Sequence, residues 1–153
     1  MKPPLIRVQY LHVQFNGNRV LNGLDMEVRE GEIFVIIGPS GVGKSVLLKN
    51  LIGLQRPNAG RIFLGDAEVT ALHERELNIL RENVGMVFQG SALLNSMSAI
   101  DNVALPLRER HKMSEDQIVK RCKEKLALVG LQDAEDKLPA ELSGGMKKRV
   151  AIA

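Results

Sequence analysis

The sequence has no Trp, one Tyr, four Phe and a single Cys in 153 residues. With Cys122 alone, no internal disulfide can form, which fits a reducing compartment. Few aromatics means few platforms on which bases could stack, and the basic residues make only short runs such as Lys147-Lys148-Arg149. A net charge of +3 and a pI near 9.2 do not outweigh that, so nucleic acid is not an expected partner. Long hydrophobic runs are missing as well. The longest is Ile33–Ile37, far short of the ~20 residues that span a bilayer. The opening MKPPLIRVQY has no apolar core of the kind that marks a signal peptide. His12, His73 and His111 are scattered without metal-ligand spacing. Any membrane role is therefore expected to need a partner or a surface contact.

What remains is ordinary for a folded protein: 44% hydrophobic and 25% charged residues, with a core of Leu, Ile and Val. Residues 5–15 alternate like a strand, but the phase slips from Ile6, Val8 and Tyr10 to Leu11, Val13 and Phe15, which predicts a bulge. Asn16-Gly17-Asn18 reads as a hairpin turn into a second antiparallel strand carrying Val20, Leu24, Met26 and Val28. Arg29–Glu32 is a further turn. Ile33–Ile37 is apolar throughout and predicts a strand buried on both faces of a parallel sheet. Val84–Phe88 predicts a second. Between them lie a helix through Leu47, Leu48, Leu51 and Ile52 ending near Gly53, a turn at 56–60, a short strand at 61–65 and a helix from His73 to Arg81.

Beyond Gln89 the pattern becomes helical. Ser98-x-x-Asp101 and Ser114-x-x-Gln117 are helix-start signatures. Ile118, Cys122 and Val129 line one face of the second helix, and Gly130 closes it; Cys122 is expected in the core, and Asp101 and Asp116 as helix-start residues. The expected organisation is a core and antiparallel β subdomain at 1–88, a mostly helical subdomain at 90–141, and a new helix opening at 142–153.

The chemistry is concentrated in GPSGVGKS, Gly38–Ser45, a full match to G-x-x-x-x-G-K-[ST] after an apolar segment and before a helix. Glycines let backbone N–H groups wrap a phosphate, and a helix N-terminus adds positive potential. Lys44 is placed to reach the β- and γ-phosphates. The Ser45 hydroxyl is a hard oxygen ligand suited to Mg²⁺.

Downstream stands Leu142-Ser143-Gly144-Gly145. With the P-loop and the Gln89 segment, it makes the chain resemble the nucleotide-binding domain of ABC transporters. The resemblance implies an α/β P-loop NTPase with an N-terminal antiparallel β subdomain and an inserted helical one, incomplete at its C-terminus. It implies ATP and Mg²⁺ as cofactors. Gly38, Pro39, Ser40, Gly41, Val42, Gly43, Lys44, Ser45 and Val46 are then the nucleotide-binding loop. Phe15 is similar to the aromatic that stacks on adenine; its alternative role is a core residue at a strand end. Gln89 is similar to the Q-loop glutamine that touches Mg²⁺ and the attacking water, so Ser45 and Gln89 share the metal. Ser143, Gly144 and Gly145 are similar to the signature that caps the γ-phosphate held by the other protomer. The implied active unit is a head-to-tail homodimer.

Met146, where Gln or Glu is commoner, and the segment Gly90–Leu107 resemble the ATPases of Mla- and Mkl-type intermembrane lipid transport. That resemblance implies a multi-span permease contacted by Leu93, Leu94 and Met97, a substrate-binding protein acting indirectly, and a cytoplasmic place on the inner face of the membrane. The alternative for those three residues is packing within the helical subdomain. The family's Walker B strand, catalytic Glu and sensor His would lie beyond Ala153, so the sequence reads as a fragment whose hydrolysis is not expected from these residues alone. Two other functions fit the same motifs: a non-transport ABC ATPase, and an ATP-binding module without hydrolysis.

Overall fold

The computed structural model describes residues 3–110 and 113–153. Met1 and Lys2, and the scattered His111, lie outside them. The chain divides into two compact units, the first ending at Gly85 and the second spanning Met86–Ala153.

The first unit is a four-stranded antiparallel sheet in the order β2-β1-β3-β4, formed by β1 (Ile6–Phe15), β2 (Asn18–Val28), β3 (Ala59–Leu64) and β4 (Ala67–Glu68). The predicted slip in β1 is a bulge: the register with β2 shifts between Val8 and Leu11. At the bulge Tyr10 has φ +50 and its N–H donates to Asp25 Oδ1 at 2.8 Å. That extra residue returns Val8, Leu11 and Val13 to one face, where all three are buried. Tyr10 is left pointing outward, against the expectation that it shares a face with Ile6 and Val8. Gly60 of β3 passes so close to the bulge that a Cβ there would stand 2.4 Å from the Tyr10 carbonyl oxygen. The Asn16–Gly17 turn has positive φ at both residues, as the two-residue hairpin requires. Helices α1 (Lys44–Leu51) and α2 (Glu74–Arg81) complete the first core: Leu47, Leu51 and Leu77 meet Val8, Leu11, Val13, Ile62 and Val69. Each fully buried aliphatic side chain there contributes about 1.5–3 kcal/mol relative to exposure.

Two predicted strands are absent. Ile33–Ile37 lies outside every strand, and Ile33, Val35 and Ile37 are 92%, 68% and 89% exposed. Only Ile36 packs on the first core. Val84–Phe88 is likewise outside any strand. An apolar run signals a preference for burial, but a doubly buried strand exists only if neighbours accept its backbone hydrogen bonds. Neither segment joins the described sheet.

The second unit is helical: α3 (Ala99–Glu109), α4 (Glu115–Leu128), a 3₁₀ turn at Pro139–Glu141, and α5 (Gly144–Ile152). Its core joins Ala99, Leu126, Leu131, Ala134, Leu142 and Val150, with a satellite of Ala104, Ile118 and Cys122. Burial pushes the Cys122 thiol up, as suits an inert core cysteine. Arg108 near the end of α3 pairs with Asp101 at 2.8 Å and with Glu115 at the start of α4.

Candidate functional site

The phosphate loop is built from the first unit upward. Residues 38–43 leave the sheet region without regular structure and lead into α1. Gly43 is the N-cap, with φ +103, and no side chain caps the helix. A Cβ on Gly43 would stand 2.8 Å from Val20 Cγ1 and 3.1 Å from Leu21 Cδ2, so the loop lies against β2 where only glycine fits. The first turn of α1 carries no acidic residue, and its orphan N–H groups remain available to an anion.

Lys44 lies across the loop. Its Nζ donates to the Gly38 carbonyl at 2.7 Å and to the Pro39 carbonyl at 2.8 Å. The ammonium therefore stands over the loop's own backbone, on neutral acceptors that a phosphate oxygen can replace with a charged one. Pro39, Ser40, Gly41 and Val42 are exposed, as is Ser45. Val46 differs: its side chain packs on the first core, and its carbonyl accepts from Asn50 Nδ2 at 2.8 Å. Val46 is thus a packing residue of α1 that can offer a ligand only backbone.

Phe15 ends β1, paired with Asn18 across the hairpin turn, and is 44% exposed. It is therefore no core residue. Gly43 touches Val20 and Leu21, two and three residues along β2 from Asn18. At about 3.3 Å per strand residue, the aromatic end of the hairpin lies roughly 10 Å from the loop. That is the scale of a nucleoside between base and phosphate.

In the second unit Gln89 is exposed, in irregular chain just before Gly90. Ser143 is the N-cap of α5, its Oγ accepting from Met146 N–H at 3.3 Å. Nothing lies within 4 Å of a Cβ built on Gly144 or Gly145, so both present open backbone. Met146 is partly buried against the second core, which explains an apolar residue there by packing. Of the three apolar residues after Gln89, Leu93 packs inside that core, Leu94 is 44% exposed and Met97 is intermediate.

Two side chains went unread in the sequence. Asn102 bonds back to residues 94, 97 and 98. An Asn inside a helix is unfavourable unless it finds local backbone partners, and that was the available signal. Arg149 on α5 donates to the Val129 and Gly130 carbonyls at 3.1 and 3.4 Å, tying the signature helix to the end of α4. Among the described residues no cluster of three or more His, Cys, Asp or Glu could hold a metal, and no helix is long and apolar enough to cross a membrane.

Comparisons with known proteins bear on the family and the fold. The profile of the family described as ABC transporter matches residues 21–153. A methionine import ATP-binding protein, MetN 1, from Pectobacterium atrosepticum is 44% identical over 97% of this chain and 45% of its own length. The probable ribonucleotide transport ATP-binding protein mkl of Mycobacterium tuberculosis is 44% identical over 97% of this chain and 41% of its own. The chloroplastic protein trigalactosyldiacylglycerol 3 of Arabidopsis thaliana is 43% identical over 97% and 43%. The chain thus spans less than half the length of these curated relatives. Among solved structures, a dimeric post-hydrolysis ATP-binding cassette bound to ADP and Pi is 30% identical with a TM-score of 0.89, covering 96% of this chain and 67% of that one.

Proposed function

The chain belongs to the ABC transporter family of ATP-binding domains, and from that membership we propose that the whole protein is the ATPase subunit of a membrane transporter. It couples ATP binding and hydrolysis to movement of a substrate through a permease. The observation that carries this reading is the phosphate loop: an uncapped helix start, a glycine wedged against β2, and Lys44 held over the loop by two neutral carbonyls. ATP is the ligand that fits a phosphate-binding loop with an aromatic on the neighbouring hairpin.

The roles follow residue by residue. Gly38–Gly43 offer backbone N–H groups to the β- and γ-phosphates, and Lys44 exchanges its carbonyl partners for phosphate oxygens. The exposed Ser45 hydroxyl is an oxygen donor that fits Mg²⁺, and Gln89 is assigned as a second oxygen ligand by family likeness. Mg²⁺ when bound would neutralise phosphate charge. Phe15 offers a face to adenine. Ser143, Gly144 and Gly145 act on the nucleotide of a second copy, a role supported by their open position. Residues 94–97 meet the permease, so the protein works on the inner face of the membrane.

The proposed cargo is a phospholipid or another hydrophobic compound. The name of the Arabidopsis relative, that of a galactolipid, supports it. Met146 lends it little weight, because packing already explains that residue. The MetN likeness favours a second cargo, methionine.

The decisive experiment measures binding of a fluorescent ATP analogue to the full-length protein with and without Lys44→Ala. Affinity is expected to fall a hundredfold or more, about 2.7 kcal/mol. Undiminished binding by Lys44→Ala would sink the reading of the loop. Lipid transfer against methionine uptake in matched knockout cells then separates the two cargoes.

A further inference from the structure

We propose that Asn102 is a positioning residue that holds the segment Leu94–Ser98 in a preformed shape for docking on the membrane partner. The inference deepens the transport reading above and rests on it.

The carboxamide of Asn102 uses both of its ends. Its Oδ1 accepts from Leu94 N–H at 2.7 Å. Its Nδ2 stands 3.2, 3.1 and 2.9 Å from the carbonyl oxygens of Leu94, Met97 and Ser98. One side chain thereby fastens three residues of an irregular segment to the first turn of α3. A turn within the segment, Met97 N–H to Leu94 carbonyl at 3.1 Å, is closed beneath it.

Order here is not explained by burial. Leu94, Asn95 and Ser96 are exposed, while the adjoining Leu93 is taken into the core. Just upstream, Ser91 and Ala92 have φ of +64 and +54. Two consecutive non-glycine residues in the left-handed region are strained, and such strain persists only where the surrounding structure imposes it. An exposed loop with Leu94 at its surface is thus bent at one end and fastened at the other. Rigidity of that kind lowers the ordering cost of binding a partner. The side-chain bonds of Asn102 go to residues 94, 97 and 98, so its loss should leave nucleotide binding alone.

The test compares the full-length protein with its Asn102→Asp and Asn102→Ser variants. Aspartate keeps the acceptor for Leu94 N–H but sets a carboxylate among three carbonyl oxygens. Serine protects the fold, since its hydroxyl can bond the Ser98 carbonyl one turn back while releasing Leu94. Three quantities are measured: co-sedimentation with membrane vesicles of the source cells stripped of peripheral proteins by urea, affinity for a fluorescent ATP analogue, and hydrogen exchange at the Leu94 amide. Both variants are expected to lose tenfold or more in vesicle affinity and to keep nucleotide affinity within twofold. In Asn102→Ser the Leu94 amide is expected to exchange at least tenfold faster. A general loss of structure would instead lower nucleotide affinity too, and that result overturns the proposal. Vesicle binding by both variants equal to that of the parent overturns the Asn102 assignment alone. No vesicle binding by the parent protein overturns the transport reading and the docking role with it.

Discussion

Two helices of this chain begin at glycine-rich segments that read as anion sites, and they begin differently. Helix α1 starts at Gly43 with no side-chain cap. Helix α5 starts at Ser143, whose hydroxyl already accepts from the Met146 N–H. That second device is not special within its unit. Ser98 accepts from Asp101 N–H at 3.3 Å and Ser114 from Gln117 N–H at 3.4 Å in the same way. Three serines thus perform one structural task, and the serine of the signature cannot by itself identify a ligand site. What sets α5 apart is the pair of open glycines after the cap. The bare start, with Lys44 held beside it, is the one proposed to bind phosphate from within the chain. The capped start has one orphan N–H already satisfied, in keeping with the proposal that it meets a phosphate bound by a second copy.

The largest expected effect tests that division. In the full-length protein, Ser143→Arg places a bulky cation on the open face of α5. ATP-driven dimerisation, followed by light scattering or analytical ultracentrifugation, is expected to fall a hundredfold or more, about 2.7 kcal/mol. Binding of ATP to the monomer should stay within twofold. Were monomer affinity to collapse as well, the two helix starts would belong to one site within a chain and the comparison would fail.

A smaller effect is expected at the bare start. Gly43→Ala meets two obstacles at once, a φ of +103 and a Cβ 2.8 Å from Val20 Cγ1. Destabilisation of roughly 2 kcal/mol or more is expected from the left-handed backbone and the clash. Urea unfolding would measure it. Val20→Ala in the same chain should recover only the part due to the Val20 side chain and none of the part due to φ. By contrast Gly145→Ala, with open space around it, should cost the fold almost nothing.

Sequence reading succeeded where local chemistry decides the outcome. The helix opening after the Gly-rich loop, the Asn16–Gly17 turn and the bulge in β1 are each set by a few neighbouring residues: glycine spacing, residues that tolerate positive φ, and a break in alternation. The serine-capped starts of α3 and α4 were equally readable. It failed where the partner is distant. Ile33–Ile37 has the composition of a buried strand, yet composition does not supply the neighbouring backbone a strand must pair with. Leu93 and Leu94 are the same residue type side by side. Which of them turns inward goes with bonds from Asn102, eight residues beyond Leu94, and no hydrophobic pattern encodes that. Met146 carries a family likeness in the sequence, and in the structure it packs, partly buried, against the second core.

The smallest effect concerns the side-chain devices that fasten the helical unit. The Asp101 carboxyl is held below the usual range chiefly by the Ser98 hydroxyl and then by Arg108, and the Glu115 carboxyl by Arg108. A carboxylate whose pKa is lowered on folding contributes stability above its unfolded value, about 4, and that contribution is lost as pH falls through the folded value. Arg108 stays charged throughout, so protonating the two acids removes its partners. The pairs are partly exposed, and water screens them. Arg108→Met is therefore expected to lower the melting temperature by only about 2 °C at pH 6. The gap between variant and parent should close as the pH is taken below 3. Melting curves across that range check it. A gap that stayed constant in acid would mean that Arg108 acts through its aliphatic packing between α3 and α4, and that the serine caps hold those helix starts without help from charge.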